Sequence, residues 1–436
     1  MLNFLSFINT YVFGPALPLV MIICGGFFIV RLRGFYIFHP AKVCGALANG
    51  GKGEKSSFRA LSVALAGTLG VGNIAGVAAA VTAGGAGALF WMWISALCAM
   101  ALKYAETSLS IRFRGGGCGA FSYISRCFKG GRAARIISSI FAVLCLGASF
   151  SIGSVVQINA AAKSLSRVFA IPELVCGALF AAVAAAVVFG GFSRISSVTA
   201  RLVPPLCAVY IVLCAAMLIS GRAYLGGIMR DIFAGAFDLG SAAGGIGGFL
   251  LMRSLRFGVA RGVLSNEAGC GTSPFAHAEA DAPNPAAQGC FGIFEVFCDT
   301  VILCTLTGLC TLIFLKQYPE CAIFDGIPLS LMVFENSFGC FGGMFLAIST
   351  ALFALASYLC WAFYGAAALS ALTVSPGARK VYLALYCISA FYAAAASSEV
   401  MWQLADLSVS AMAMLNVACL CRMSGEVSAY TKEYFT

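Results

Sequence analysis

Two short stretches of this chain carry residues able to hold a small charged ligand inside an otherwise apolar protein. The first is Ala66-Gly67-Thr68-Leu69-Gly70-Val71-Gly72-Asn73-Ile74-Ala75-Gly76, and the second, within residues 244–271, is Gly258-Val259-Ala260-Arg261-Gly262-Val263-Leu264-Ser265-Asn266-Glu267-Ala268-Gly269. Glycine at this density weakens a helix and bares its backbone. Asn73, Ser265, Asn266 and Glu267 add short polar groups at the same places. Freed carbonyls and side-chain oxygens suit a hard cation such as Na⁺, and half-helix N-termini suit a carboxylate. Small-xxx-small spacing also serves close helix packing, so the glycines alone decide nothing. Their polar neighbours do, because such groups left unsatisfied in hydrocarbon are costly.

The elements that must position these residues are membrane helices. Of 436 residues 61% are hydrophobic and 10% charged, against about 25% charged in a soluble protein, which excludes a water-soluble globule. Apolar runs long enough to span a bilayer give eleven candidate helices, with cores at 12–31, 60–82, 87–111, 136–162, 173–190, 202–220, 241–272 (interrupted), 288–315, 342–371, 381–397 and 400–421. The fold class is therefore an all-α polytopic membrane protein. The two Gly-rich stretches open two successive sets of five spans, the pointer to an inverted repeat with broken helices around a midplane site. This divides the chain into 1–57 (an extra helix and a basic loop), 58–235 and 236–422 (the two five-helix repeats) and 423–436 (a tail).

The net charge of +10 comes from Lys and Arg that lie mostly between spans, so it reads as topology rather than as a nucleic-acid surface. Of the 27 basic residues, 18 fall on one side and 5 on the other. The N-terminus is then outside and the C-terminus in the cytoplasm of a multi-pass cell-membrane protein. No basic residue precedes the first apolar run and no A-x-A site follows it, which predicts a retained span. The 20 cysteines lack metal-like spacing and read as small packing residues.

Two motif likenesses fail on inspection. Gly70-x-Gly72-xxx-Gly76 lacks the preceding strand and later acid of a dinucleotide site. Gly50-Gly51-Lys52-Gly53-Glu54-Lys55-Ser56 has Ala46 and Gly53 where a phosphate loop needs Gly and Ser or Thr. His39 and His277 have no partner in a catalytic arrangement, so an enzyme is not expected and neither is a cofactor. Transport driven by an ion gradient, or passive, is the remaining reading.

Several stretches resemble the alanine/glycine:cation symporter family: Gly70-Val71-Gly72-Asn73-Ile74-Ala75-Gly76-Val77-Ala78, Gly84-Gly85-Ala86-Gly87-Ala88-Leu89-Phe90-Trp91-Met92-Trp93, Arg261-Gly262-Val263-Leu264-Ser265-Asn266-Glu267-Ala268-Gly269-Cys270-Gly271, Pro285-Ala286-Ala287-Gln288-Gly289 and Phe297-Cys298-Asp299-Thr300. The resemblance implies a leucine-transporter-type fold, one extra helix before ten core helices, that imports small neutral amino acids with a monovalent cation, Na⁺. It implies no obligate protein partner beyond the lipid bilayer. By resemblance, Val71, Gly72, Gln157, Gly258 and Val259 contact substrate, with Leu255 crowding larger side chains. Asn73 would offer its carbonyl oxygen to one ion, and Ala66 and Leu69 their main-chain carbonyls to a second together with Ser357. Arg261, Ser265, Asn266, Glu267 and Asp299 are candidates for a gate or coupling network. Lys103 and Glu106, spaced i,i+3, would pair.

The chain departs from the family where Val71 replaces Thr, Ala356 replaces a hydroxyl-bearing residue and Ala366 replaces Glu. A replacement water ligand, altered stoichiometry, proton coupling and a passive carrier or channel of the same fold therefore stay open beside Na⁺ symport.

Overall fold

The computed structural model describes residues 7–50, 56–114, 118–237, 246–396 and 398–435. Among them there are helices and no strands. In chain order, α1 (Gly14–Arg31) precedes α2 (Ser57–Thr68) and α3 (Ala75–Gly84), which are separated by a 3₁₀ turn at Val71–Asn73. The long α4 (Gly87–Arg112) follows. α5 (Arg132–Phe150) and α6 (Gln157–Phe169) join through a π-wound segment, Ser151–Val156. Then come α7 (Glu173–Val188), α8 (Gly191–Ser220) and α9 (Arg222–Phe237). The second half begins with α10 (Ile246–Asn266) and the short α11 (Ser273–His277). α12 (Pro285–Val296) and α13 (Thr305–Gln317) join through a second π segment, Phe297–Cys304. The chain ends with α14 (Gly326–Phe338), α15 (Cys340–Leu372), α16 (Pro376–Ala395), α17 (Ser398–Arg422) and α18 (Ser424–Phe435).

Within the described residues every expected span coincides with helix over most of its length; positions 241–245 and 397 of the expected spans lie outside the described residues. Among the described residues seven helices are long and apolar enough to cross a membrane, or eight with α2 and α3 as one span bent by 61°. The 16-residue α7, the arginine-bearing α10 and α16 fall short of that measure, and a count of eleven is compatible with all of them. The division expected at 235/236 runs through the last turn of α9.

Local sequence explains where several helices start. Ser56 caps α2 by accepting from the Arg59 N–H at 3.3 Å. Asn284 caps α12 by accepting from Ala286 N–H and Ala287 N–H, with Pro285 at the first position where no N–H is needed. α4 runs through the middle of the molecule, and even its Lys103, Glu106, Thr107 and Ser108 are fully buried. Leu19, Ile23 and Val30 of α1 and Val209, Val212 and Ile219 of α8 point outward, an apolar surface that only lipid covers without penalty.

The second break lies further along than the glycine pattern suggests. α10 is continuous through Gly258, Val259 and Gly262 to Asn266, because those glycines serve packing rather than unwinding. A Cβ at Gly258 would collide with the Ala88 carbonyl and lie 2.9 Å from Trp91 Cβ, so its absence lets α10 approach α4. The helix ends where Glu267, Gly269 and Gly271 take positive φ (50°, 77° and 76°), a backbone that a helix cannot continue.

Gly258→Ala should therefore push α10 off α4 and cost about 1–3 kcal/mol, visible as a lowered thermal midpoint in detergent. Gly26→Ala on α1, where a Cβ meets nothing within 4 Å, should leave the midpoint unchanged. Equal midpoints for the two variants would remove the close α10–α4 approach as a source of stability.

Candidate functional site

The first break frees backbone groups that two other helices then hold. In an unbroken helix the Gly70 and Val71 N–H groups would donate to the Ala66 and Gly67 carbonyls. Here the Gly70 N–H donates to Thr68 O (2.9 Å) and Asn73 Oδ1 (3.2 Å). The Val71 N–H donates to Gln157 Oε1 at 3.0 Å, and Ser357 Oγ on α15 donates to the released Gly67 carbonyl at 3.0 Å. A Cβ at Gly70 would sit 2.7 Å from Gln157 Oε1, so only glycine lets that amide reach the backbone. Gln157 is placed there by the π segment just before it, a winding common where a helix serves a site.

The second break is held in the same way. Asn266 Oδ1 accepts from the Ala268 N–H at 2.9 Å, and its Nδ2 donates to Thr300 Oγ1 at 3.1 Å. Asn416 of α17 donates to the Gly269 carbonyl (2.8 Å), and the Gly271 N–H donates to Glu106 Oε2 of α4 (3.1 Å). Glu267 accepts from Thr272 Oγ1 (2.8 Å) and Trp361 Nε1 (3.2 Å).

The two breaks meet. The Cβ direction of Gly72 points at Ser265 Cα, 3.7 Å away. Asp299, carried on the second π segment, ties them together by accepting from Asn73 Nδ2 (2.7 Å), Ser265 Oγ (2.9 Å) and Thr300 Oγ1 (2.7 Å). All four residues are buried. Cys304 Sγ stands beside them, 3.4 Å from Asn73 Nδ2 and 3.3 Å from Ser265 Oγ, and the carboxylate and hydroxyl oxygens are the groups suited to a monovalent ion. Among the described residues no group of three or more His, Cys, Asp or Glu could hold a metal, so a transition-metal centre has no ligands here. A second oxygen set lies at Ser357 with the last turn of α2, where the fully buried Ala356 adds none.

Two cavities lie along this junction. The central one, about 20 Å³, is bounded by Gly72, Gln157, Ile152, Val156 and Glu267, room for about one water molecule. Arg261, Leu264 and Trp402 separate it from a larger cavity of about 360 Å³ between α1, α10 and α17. The Arg261 guanidinium lies over the Trp402 ring, 5.2 Å from its centroid.

Below the second break is a buried charge cluster. Lys103 Nζ donates to Ser273 Oγ (2.6 Å) and pairs with Glu295 (3.1 Å). Glu106, the expected i,i+3 partner, stands further off at 3.8 Å. His277 lies between Glu295 Oε2 (3.2 Å) and Gln288 Nε2 (2.7 Å).

The expected substrate residues divide. Gly72 and Gln157 line the central cavity, and Val71 contributes its main-chain N–H. Leu255, Gly258 and Val259 do not line it: they sit within unbroken α10, Val259 wholly buried and Gly258 against Ala88. Of the expected cation ligands, Asn73 joins Asp299, while Ala66 and Leu69 lie on the turn that Ser357 reaches. Arg261 and Glu267 both border the central cavity but make separate contacts, Arg261 with Trp402 and Glu267 with Trp361 and Thr272. Ser265, Asn266 and Asp299 gather at the junction. Sequence reasoning missed Glu295, Trp361, Trp402 and Asp406. Glu295 and Asp406 carried a signal, an acid within an apolar span; the two tryptophans carried none.

Comparison with known proteins places this geometry in context. The model of the sodium:alanine symporter family matches residues 1–436. The sodium/alanine symporter AgcS of Methanococcus maripaludis is 34% identical over 449 residues, covering 99% of this chain and 98% of that protein. The probable sodium/glutamine symporter GlnT of Bacillus subtilis is 29% identical over 434 residues, covering 98% and 89%. Among solved structures, MhsT in complex with L-phenylalanine superposes with a TM-score of 0.54 at 14% identity over 87% of this chain and 98% of that one. A manganese transporter from Eremococcus coleocola, as its H236A mutant, gives 0.53 at 15% over 87% and 76%. At these identities the likeness shows the fold, of leucine-transporter type.

The charge cluster yields a test that needs no transport. Glu295→Gln leaves the buried Lys103 ammonium with only the more distant Glu106 carboxylate at 3.8 Å and should cost about 3 kcal/mol, the low end for removing one partner of a buried pair. The joint Lys103→Met, Glu295→Met variant should lose less. A double variant as unstable as the single, by thermal unfolding in detergent, would show that the pair does not act as one unit.

Proposed function

The chain belongs to the sodium:alanine symporter family, and from that premise we propose that it is a secondary active symporter importing small neutral amino acids, alanine and glycine, together with Na⁺ by alternating access. It is a multi-pass membrane protein and a transporter, not an enzyme; the proposal places it in the cell membrane with its N-terminus outside. The observation that carries the reading is Asp299 bridging the two helix breaks. Na⁺ taken by the Asp299 carboxylate with Ser265 and Thr300 oxygens, and by Asn73 once its amide turns Oδ1 inward, would link both broken helices. Occupancy then favours one arrangement of the two halves over the other, which is the differential binding that coupling requires. Ser357 with the Ala66 and Leu69 carbonyls offers a place for a second ion.

The amino acid lies beside Gly72 and Gln157. The Gln157 Nε2 is free to donate to its α-carboxylate while Oε1 holds Val71. A cavity of about 20 Å³ admits it only when the Arg261–Trp402 stack moves, and even opened it favours a methyl side chain or none. An apolar wall separates alanine from a larger side chain by only about 1–3 kcal/mol, so selectivity is graded. GlnT and AgcS, by their names, act with sodium on glutamine and alanine, a range that graded selectivity accommodates.

One observation favours a second reading. The group at the junction is a titratable carboxylate, and a Bacillus subtilis relative 28% identical over 459 residues is named a putative sodium/proton-dependent alanine carrier. H⁺ could ride on Asp299 instead of Na⁺.

Proteoliposomes loaded against a Na⁺ gradient should concentrate labelled alanine, and those with only a proton gradient should not. The reverse pattern would make H⁺ the coupling ion, and uptake indifferent to both would end the symport reading. Asp299→Asn should raise the Na⁺ concentration for half-maximal uptake roughly tenfold or more, and Gln157→Ala should weaken alanine binding by a similar factor. Unchanged values at normal protein levels would remove either residue from its role.

A further inference from the structure

The C-terminal helix α18 and the end of α1 form a groove that the transport cycle leaves unused. It holds about 440 Å³. Val30, Arg31 and Arg33 line one wall, and Gly425, Ser428, Ala429 and Lys432 line the other. The four α18 positions are spaced i, i+3, i+4 and i+7, which is one face of a helix. Three of them are small, and a Cβ at Gly425 would meet only Arg31 Nη2, 3.9 Å away, so this face leaves room for a ligand. The α18 wall is also held in place against α4. Tyr104 OH and Thr431 Oγ1 share a hydrogen bond at 2.8 Å, and Ser108 Oγ and Tyr430 OH share another at 2.7 Å.

Two features of the groove point to one class of ligand. Its charge is of a single sign, two guanidiniums and an ammonium with one hydroxyl, and the lining holds no carboxylate. Among the described residues neither Arg31 nor Arg33 forms an ion pair within 4.0 Å. Planar guanidinium forks match the oxygens of a phosphate group. The second feature is apolar: Val30, 79% exposed, ends a row with Leu19, Ile23 and Phe27, all exposed and spaced i, i+4, i+8 and i+11 along α1. That row runs about 16 Å, close to the depth of one leaflet in a hydrocarbon core about 30 Å thick. A free phosphate would answer only the arginines and a neutral lipid only the apolar row. An anionic phospholipid answers both.

We propose that this groove binds an anionic phospholipid, with its phosphate held by Arg31, Arg33 and Lys432 and an acyl chain laid along Leu19, Ile23, Phe27 and Val30. Ser428 adds a hydroxyl for the headgroup. Basic pockets at the cytoplasmic ends of membrane helices hold such headgroups, and on the proposed orientation the groove opens to the cytoplasmic leaflet. A lipid bound there joins α1 to α18, and through α18 to α4, so occupancy also stabilises the folded chain.

Native mass spectrometry of the purified full chain, stripped of lipid in detergent, tests this with dioleoyl phosphatidylglycerol, dioleoyl phosphatidylcholine and inorganic phosphate as probes. Wild type should retain one phosphatidylglycerol at concentrations where it retains no phosphatidylcholine, and excess inorganic phosphate should not displace it. The Arg31→Gln, Arg33→Gln double variant should weaken retention roughly tenfold or more. Ala429→Phe, which fills the groove and leaves every charge in place, should do the same. Arg132→Gln with Arg135→Gln, at exposed arginines outside the groove, should change nothing. Lipid-free thermal midpoints equal to wild type show that the variants are folded. Phosphatidylcholine retained as well as phosphatidylglycerol, or displacement by phosphate, would overturn the proposed occupant in wild type alone. Retention unchanged by Arg31→Gln with Arg33→Gln would leave these arginines as topology charges only and overturn the site. An equal loss in the Arg132, Arg135 pair, or full retention by Ala429→Phe, would mark a diffuse positive surface instead of a groove and overturn it too.

Discussion

A peptide group that loses its helical partner inside a bilayer has no water to turn to, and both breaks in this chain are organised by that constraint. At each, the replacement partner comes from a different helix. Gln157 takes the Val71 N–H, Ser357 finds the Gly67 carbonyl, Glu106 takes the Gly271 N–H and Asn416 finds the Gly269 carbonyl. Four other spans are thereby tied to the two that unwind. The same constraint explains why side chains at the junction are small amides, hydroxyls and carboxylates. Longer polar groups would satisfy the backbone but fill the cavity, and apolar ones would leave it unpaired.

The charges around the second break are distributed unevenly between its two halves. On the α11 side Lys103, Glu295, His277 and Ser273 are fully buried and joined by contacts of 2.6–3.2 Å. On the α10 side Arg256, Arg261 and Asp406 face a cavity and, among the described residues, form no ion pair within 4.0 Å. Separating the first set would strand an ion in low dielectric, whereas moving the second set breaks no ion pair. In this arrangement the half-helix α11 is the clamped part and the α10 end is the looser one. Any rearrangement that opens the α11 side must therefore meet a cost that moving the α10 side does not.

The architecture was largely legible in the sequence because its signal is local. Length and hydropathy locate each span, and the first break declares itself through four glycines in ten residues around Asn73. The second break was read too early because Gly258 and Gly262 have two possible uses, unwinding and close packing, and only the proximity of Ala88 and Ser95 on α4 decides between them. The same ambiguity bears on Leu255, Gly258 and Val259, expected at the substrate but held in unbroken α10 away from the central cavity. The pairing of Lys103 with Glu295 was invisible for another reason. The i,i+3 rule offers a partner on the same helix, but a third helix brings Glu295 closer, and no periodicity in one span reports what lies on another. Nor does composition announce a π turn, although π turns carry both Gln157 and Asp299 to the site.

The departures from the family acquire a physical meaning once they are placed. Val71 is fully buried and contributes through its N–H, a role the side chain does not affect. Ala356 is different, because it stands in α15 next to Ser357, at the turn of α2 where carbonyls are released. Its methyl offers no oxygen beside Ser357 Oγ and the Gly67 carbonyl. At the Asp299 junction a carboxylate, two hydroxyls and an amide converge and join both breaks. If one cation carries the coupling, the balance of donor oxygens and charge puts it at Asp299 rather than at Ser357. The full negative charge, not the number of neutral oxygens, is then what makes the site depend on a cation at all.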